Sequence, residues 1–151
     1  MKKRAVILGG IVVALLVVAI LWKSSFFSSH PPTPHVSVNK MNIPVTEGSY
    51  CWSGLLSGSC VDKAFASPLE MGHEQEPAEV SPKQYMTLFF DKKPQKGSLS
   101  VFQYTGDKES TPVHVRDGII TLPSKKGTYV YSISAHWEQG DGHYTVIIKV
   151  K

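Results

Sequence analysis

The N-terminal segment constrains this chain more than any other feature. Lys2, Lys3 and Arg4 precede an unbroken apolar run over residues 5–21, which ends at Trp22. As a helix, this run would be about 25 Å long, the short end of what crosses the hydrocarbon core of a bilayer. The sequence therefore predicts one N-terminal transmembrane helix, with the chain contacting the membrane through residues 5–22.

The flanks of the run predict its orientation. Basic residues on the short N-terminal side hold that end in the cytoplasm, and Trp22 suits the aromatic belt at the opposite interface. We therefore expect a single-pass protein of the cell membrane. Residues 1–22 form its cytoplasmic start and anchor, and the chain from Lys23 onward lies outside the cytoplasm.

A cleaved signal peptide is the alternative, because a basic start before an apolar stretch describes both. The run is longer than a usual signal core, and residues 22–29 offer no small residues at both the first and third positions before a cut. No cysteine lies near the run, so the lipidated cysteine of a lipoprotein is missing. These details favour retention, and either outcome leaves the remaining chain extracytoplasmic.

The segment after the run is rich in Ser and Pro, which predicts an extended, solvated spacer over residues 23–34. Residues 35–151 are long enough for one domain. Without the three basic residues of the anchor, 13 of the 16 Lys and Arg remain against 12 acidic residues. A nearly neutral outer part has no basic stripe that would release counterions from a nucleic acid, so we expect no nucleic-acid partner.

Cys51 and Cys60 are the two cysteines of the chain. In an oxidising compartment such a pair predicts a disulfide. A metal-thiolate pair is the alternative, but eight intervening residues is not the short spacing of zinc knuckles.

Short segments rich in Val, Ile, Thr, Tyr and Phe, separated by Gly, Pro, Asn and Asp, predict strands. Helical periodicity is almost absent beyond the anchor. The pattern predicts an all-β fold, an antiparallel sandwich of two sheets with about seven strands. The predicted strands are 36–43, 48–53, 85–91, 98–105, 113–116, 119–122, 128–137 and 143–150, the last two forming one hairpin.

The C-terminal hairpin has the clearest alternation. Large apolar residues at odd positions 129–137 alternate with mostly polar residues. Pairing Glu138 with His143 sets this apolar row against the apolar row of residues 144–150, with Ile133 opposite Ile148. A shift by one residue would set the apolar row against polar side chains, so we expect this register.

Gly127-Thr128-Tyr129-Val130-Tyr131 resembles the corner before a late strand of immunoglobulin-like domains, where a Tyr two residues after a Gly bonds back to the backbone. The resemblance makes Tyr129 the structural tyrosine corner. Tyr131 stands where antibody domains carry their second core cysteine, so the inter-sheet disulfide of those domains is absent.

The wider layout is similar to uncharacterised membrane-anchored proteins and lipoproteins of Gram-positive bacteria. The resemblance covers about residues 44–150 and implies an immunoglobulin-like fold and an envelope location, without an activity. It is carried by Gly48-Ser49-Tyr50-Cys51-Trp52, Cys60-Val61-Asp62, Val80-Ser81-Pro82-Lys83, the Gly-x-Tyr-x-Tyr corner and Ala135-His136-Trp137.

The strand pattern lapses over residues 61–83. Ser67-Pro68-Leu69-Glu70 has the form of a helix start, and Gly72 limits the helix to about one turn. Four glutamates make the segment acidic. A solvated connection and a binding loop both remain open, because long connections without structure of their own are uncommon unless functional or mobile.

Motifs of catalytic chemistry are missing from the sequence, so we expect neither an enzyme nor a cofactor. The alternative is a metal-handling protein or an enzyme with a site on the C-terminal hairpin. In the predicted register Glu138 faces His143, and His136 lies on the same face, which would offer two imidazoles and one carboxylate to a metal ion.

Adjacent Phe89 and Phe90 point to opposite faces of their strand, so one of them leaves the main core and marks an interaction patch. We therefore expect a membrane-anchored binding module whose partner is a protein or another component of the cell envelope. Main-chain pairing to an edge strand, or contacts through residues 61–83, would supply the mechanism.

Reduction of the predicted Cys51–Cys60 disulfide should destabilise the outer domain. The closed loop of ten residues corresponds to about 2.7 kcal/mol in the chain-entropy treatment. Urea unfolding with and without dithiothreitol measures the difference in the free energy of unfolding. Identical midpoints under both conditions would contradict the predicted bond.

Overall fold

The computed structural model describes residues 2–23, 30–54, 58–106 and 109–151, and gives only the backbone for 2–8 and 20–23. Helix α1, Lys2–Lys23, covers the predicted anchor. Within the part of the chain that the structure describes, no helix combines the length and the apolarity that spanning a bilayer requires. Residues 24–29 of the predicted spacer lie outside the described residues.

Strands dominate the rest of the chain, which confirms the all-β prediction. The described residues form eleven strands rather than about seven, together with one short helix, α2, at Pro68–Gly72. The strands are β1 His35–Val38, β2 Met41–Asn42, β3 Thr46–Ser53, β4 Gly58–Val61, β5 Ala78–Val80, β6 Tyr85–Phe89, β7 Ser100–Gly106, β8 Glu109–Pro112, β9 Ile119–Thr121, β10 Gly127–Trp137 and β11 Gly140–Val150.

Turn geometry explains two wrong strand predictions. The segment 36–43 divides into β1 and β2 because Asn39 and Lys40 take left-handed φ angles of 48° and 69° and reverse the chain. The predicted strand 113–116 follows β8 as a connection instead. Asp117 is left-handed as well, and its turn folds residue 116 back to a single bridge with residue 119.

The strands form two sheets. The four-stranded sheet has the order β2-β1-β6-β9 and is antiparallel. The seven-stranded sheet has the order β4-β3-β11-β10-β7-β8, and β5 adds to the end of β11 in parallel. Buried residues of both sheets belong to one hydrophobic cluster. Every second residue of a strand points to the same face of its sheet, and the inward-pointing residues of the two sheets form this cluster.

The predicted register of the C-terminal hairpin is wrong by an even number of residues. Ile133 lies opposite Tyr144 rather than Ile148, and the turn contains Glu138 and Gln139 alone. An even shift keeps every side chain on its predicted face, so the apolar row still points into the core. Alternation therefore excludes odd shifts but does not distinguish among even ones.

Gly140 allows β10 and β11 to stay paired up to a turn of only two residues. It lies opposite Trp52 of β3 with a φ of 152°, and a Cβ at this position would lie 1.9 Å from the carbonyl oxygen of Cys51. Only glycine allows so close a backbone approach. Residues expected in the turn thus become the strand segment that pairs with β3.

The described end of the predicted spacer packs against the domain. Pro31 and Pro34 are buried. The Tyr144 hydroxyl donates to the carbonyl oxygen of Pro32 at 2.8 Å, and the Tyr50 hydroxyl lies 2.6 Å from Nδ1 of His30. Pro31 and Pro34 are therefore not solvated, although they lie in the predicted spacer, because the spacer's end contacts core tyrosines that composition does not reveal.

Helix α2 begins as the sequence predicted. The Ser67 hydroxyl accepts the N–H of Glu70 at 3.2 Å, and the Glu70 carboxylate accepts the N–H of Ala66. The buried Met71 and Gly72 pack on the outer face of the seven-stranded sheet, with Gly72 against Val130. The middle of segment 61–83 therefore covers this sheet instead of standing free in solvent.

Two tyrosines of β10 anchor their hydroxyls differently. The Tyr129 hydroxyl donates to the carbonyl oxygen of Lys125 at 2.8 Å, which is the backbone bond expected of a tyrosine corner. Tyr131 is fully buried, and its hydroxyl donates to Oε1 of Gln103 at 2.9 Å. Burial raises the pKa of Tyr131 well above its ordinary value.

Tyr144 of β11 has a raised pKa for the same main reason, burial of the hydroxyl, with the charges of Glu47 and Asp141 adding to it. In the native state Tyr131 and Tyr144 keep their protons to higher pH than in the unfolded chain. Above about pH 10 the unfolded state has therefore released more protons, and stability must fall as pH rises.

The free energy of unfolding should accordingly be constant with respect to these groups below about pH 10 and decline above it, by at most about 1.4 kcal/mol per pH unit for each tyrosine. Tyr131→Phe and Tyr144→Phe together should be less stable at pH 8 but lose stability less steeply. Urea unfolding at pH 8 and at successive higher values measures both slopes. Equal slopes would contradict the burial argument.

Candidate functional site: an uncharged sheet face

The outer face of the four-stranded sheet is the candidate site. Met86, Leu88 and Ile120 point into the core, so their neighbours along the strands point outward. We call this surface the uncharged face. Its residues, placed side by side by the pairing of β1, β6 and β9, are His35, Ser37, Tyr85, Thr87, Phe89, Ile119 and Thr121.

Large apolar side chains lie open on this face. Tyr85 is 63% exposed and Phe89 is 55% exposed, whereas the adjacent Phe90 is buried. The prediction that one residue of the Phe89–Phe90 pair leaves the core is therefore confirmed. The His35 ring stacks on Phe89 with centroids 4.7 Å apart, so the two rings form one aromatic pair on this face.

Hydrogen bonds order the middle and the end of the face. Oγ of Ser37 and Oγ1 of Thr87 lie 2.7 Å apart across the β1–β6 pair. Nε2 of His35 lies 3.3 Å from Oδ2 of Asp91, which fixes the plane of the imidazole against Phe89. Ordered side chains lose little entropy on contact with a partner, which favours binding.

Charge is absent from the strands that build this sheet. Their sequences, HVSV, MN, YMTLF and IIT, contain no Asp, Glu, Lys or Arg. Solvent-facing strands, and edge strands such as β9 above all, usually carry charged residues that keep other chains from pairing with them. Depletion of charge with enrichment of aromatic residues is instead typical of the centre of protein interfaces.

The face continues into a groove of about 630 Å³ beside β9. Tyr85 and Ile119 of the uncharged face line it, and His114 and Arg116 come from the connection between β8 and β9. Gln103 also lines the groove, and its Oε1 accepts a hydrogen bond from the Tyr131 hydroxyl. The exposed aromatic surface thus borders a polar depression whose lining contains both a basic residue, Arg116, and an acidic one, Asp117.

The hairpin residues considered for metal binding do not meet. His136 lies opposite Asp141, His143 lies opposite Ser134, and Glu138 occupies the turn. The register on which the metal hypothesis depended is wrong for the reason given above. Across the described residues, no group of three or more His, Cys, Asp or Glu side chains could hold a metal ion.

His143 instead joins a polar line along the outer face of the hairpin. Its Nδ1 lies 2.9 Å from Oγ of Ser134, and its Nε2 lies 3.6 Å from Oδ2 of Asp141. Asp141 also accepts the N–H of Cys51 at 3.0 Å. These contacts therefore link β11 to its neighbouring strands, β10 and β3.

The predicted disulfide is present. Cys51 and Cys60 lie directly opposite each other on β3 and β4, with Cα atoms 4.1 Å apart. The bond attaches β4, the last strand of the seven-stranded sheet, to β3. It is a structural crosslink at the edge of the seven-stranded sheet, whereas the uncharged face belongs to the other sheet.

Sequence reasoning found one residue of the face, through the Phe89–Phe90 pair, and missed the rest. The alternation of Tyr85, Thr87 and Phe89 was a usable signal. This alternation does not reveal which strands lie beside β6, because β1 and β9 are distant from β6 in the sequence.

Comparison of the chain with family models, with curated proteins and with solved structures found no match. Functional inference for this protein therefore rests on its own residues and their arrangement.

Proposed function

We propose that this protein is a membrane-anchored, extracytoplasmic binding module that docks a protein partner on the uncharged face. The observation that carries the proposal is the absence of charge from an exposed, aromatic sheet face. Exposed Tyr85 and Phe89 are suitable anchor residues, since burying one such side chain contributes about 1.5–3 kcal/mol.

Strand order supports an immunoglobulin-like sandwich as the scaffold. If β1, β6 and β9 correspond to strands A, B and E, and β8, β7, β10 and β11 to C′, C, F and G, both sheets have the neighbours found in immunoglobulin-like domains. In this assignment Tyr129 lies at the start of strand F, where the tyrosine corner belongs. Segment 42–80 is then an insertion between A and B.

The N-terminal segment supports the location. Helix α1 contains the apolar run 5–21, with basic residues before it and Trp22 after it. The disulfide suits an oxidising compartment. The resemblance to anchored ectodomains and lipoproteins of Gram-positive bacteria points to the same place, with the N-terminus cytoplasmic and the protein passing the cell membrane once.

A protein partner fits the face better than a small ligand. The aromatic side chains are exposed rather than enclosed in a pocket, and small ligands favour pockets that bury most of their surface. The neighbouring groove adds Arg116 and His114 as polar contacts at the rim. An apolar centre with a polar rim is the usual anatomy of protein interfaces.

Protease added to intact cells should remove the domain 30–151 while leaving residues 1–22 protected by the membrane. Tags at the two ends of the chain, read by immunoblotting, measure this after mild opening of the cell wall. The C-terminal tag should disappear and the N-terminal tag should persist until the cells are lysed. Protection of both tags in intact cells would contradict the proposed location.

A photo-crosslinking amino acid in place of Thr87 should form a discrete adduct with a partner protein in intact cells. The same probe in place of Ser100, exposed on the seven-stranded sheet, should not form that adduct. Phe89→Ser should abolish the Thr87 adduct without a loss of stability, because Phe89 is exposed. Phe102→Ser is the matched control, since this phenylalanine is 39% exposed on the other sheet.

Persistence of the adduct in Phe89→Ser would contradict the proposed face. An adduct of twice the chain mass would identify self-association in place of a different partner. Comparison of the two outcomes by mass spectrometry separates them.

A further inference from the structure

We propose that the end of the domain opposite the chain entry binds a polyanion that carries repeated phosphate groups. This second surface goes beyond the docking function of the uncharged face. We call it the lysine end. It consists of five exposed lysines, Lys40, Lys83, Lys125, Lys126 and Lys151.

Backbone contacts bring these lysines to one end of the two sheets. The N–H of Lys83 donates to the carbonyl oxygen of Pro123 at 3.2 Å, which joins the turns 81–84 and 123–126. The N–H of Lys151 donates to the carbonyl oxygen of Val80 at 3.1 Å, just before the first of these turns. A groove of about 360 Å³ links Lys151 with Gln84 and with Asn39, the neighbour of Lys40.

Acidic residues are scarce at the lysine end. The turns 39–40, 81–84 and 123–126 contain no Asp or Glu. Glu79 is the nearby acid, and its carboxylate pairs with Nζ of Lys151. The near-neutral charge of the outer part thus conceals a segregated distribution, with a concentration of positive charge where four separate parts of the chain meet.

Two of these lysines lie at turn positions that would suit Asn or Gly. Lys40 has a φ of 69° and Lys83 a φ of 59°, in the left-handed region that favours Gly and Asn. A long side chain with a Cβ gains nothing from this conformation.

The arrangement selects the chemistry of the ligand. Lysines are compact point charges that attract phosphate without demanding a particular approach angle. Charges spread over several turns, rather than focused on one cradle, suit a chain of anionic groups that contacts them in succession. The release of counterions from such a chain would supply much of the binding free energy.

The chain enters the domain at the other end. His30 and Pro32 contact Tyr50 and Tyr144, on the strand segments next to the turn at residues 138–139. If residues 5–22 are anchored as proposed, the lysine end faces away from the lipids of its own membrane. This geometry favours a polymer in the envelope over lipid headgroups as the source of the phosphates.

The test uses the full chain in nanodiscs of neutral phosphatidylcholine and inorganic polyphosphate as the probe. Binding should be strongest at low salt and weaken as salt rises. Lys125→Gln with Lys126→Gln should weaken it by about fivefold for each lysine removed. Lys93→Gln with Lys96→Gln is the matched control, with the same charge change near His136 at the opposite end, and should alter the affinity far less.

A second variant separates charge from folding. Lys40→Asn with Lys83→Asn removes two charges at positions where Asn suits the left-handed backbone, so thermal stability should be retained or raised. Polyphosphate binding should nevertheless fall as in Lys125→Gln with Lys126→Gln. Unchanged binding in this stable variant would overturn the proposal.

Two further probes distinguish the source of the phosphate. Vesicles of phosphatidylglycerol should bind the nanodiscs less tightly than polyphosphate does, and tighter binding to the vesicles would overturn the proposal in favour of a lipid surface. Orthophosphate that competes as well as polyphosphate, at equal phosphate concentration, would overturn the requirement for a chain. Phe89→Ser should retain polyphosphate binding. The experiment therefore tests the lysine end independently of the partner proposed for the uncharged face.

Discussion

The packing of the β10–β11 hairpin is the constraint on which the rest of the structure depends. Its inward row, which includes Tyr131, Ile133 and Tyr144, is fully buried and belongs to the single hydrophobic cluster. β11 pairs with β10 along one side and with β3 and then β5 along the other. Because most of the seven-stranded sheet attaches through this hairpin, a displaced register would disturb both sheets at once.

The two sheets share a core but present different outer faces. The seven-stranded sheet is covered by α2, whose Met71 and Gly72 close over Val130. The four-stranded sheet leaves Tyr85 and Phe89 in solvent without any charge on its strands. Helix α2 thus covers one outer face, whereas the outer face of the four-stranded sheet stays exposed.

Charged residues are also distributed unevenly over the surface. Net charge suggested a domain without an electrostatic preference, yet the turns that meet at one end carry lysines with almost no acids. Electrostatic potential depends on where charges lie, and not on their sum. An outer part whose total charge is close to neutral therefore presents an uncharged face and a basic end as two different surfaces.

The sequence by itself determined the inward row of the C-terminal hairpin, the all-β class, the disulfide of Cys51 with Cys60, and the start of α2 at Ser67. These features are local, since they depend on residues a few positions apart. The tertiary structure alone decided the hairpin register, the burial of Pro31 and Pro34, the uncharged face and the lysine end. Each of these depends on which distant strands become neighbours, and side-chain periodicity is the same for many different pairings.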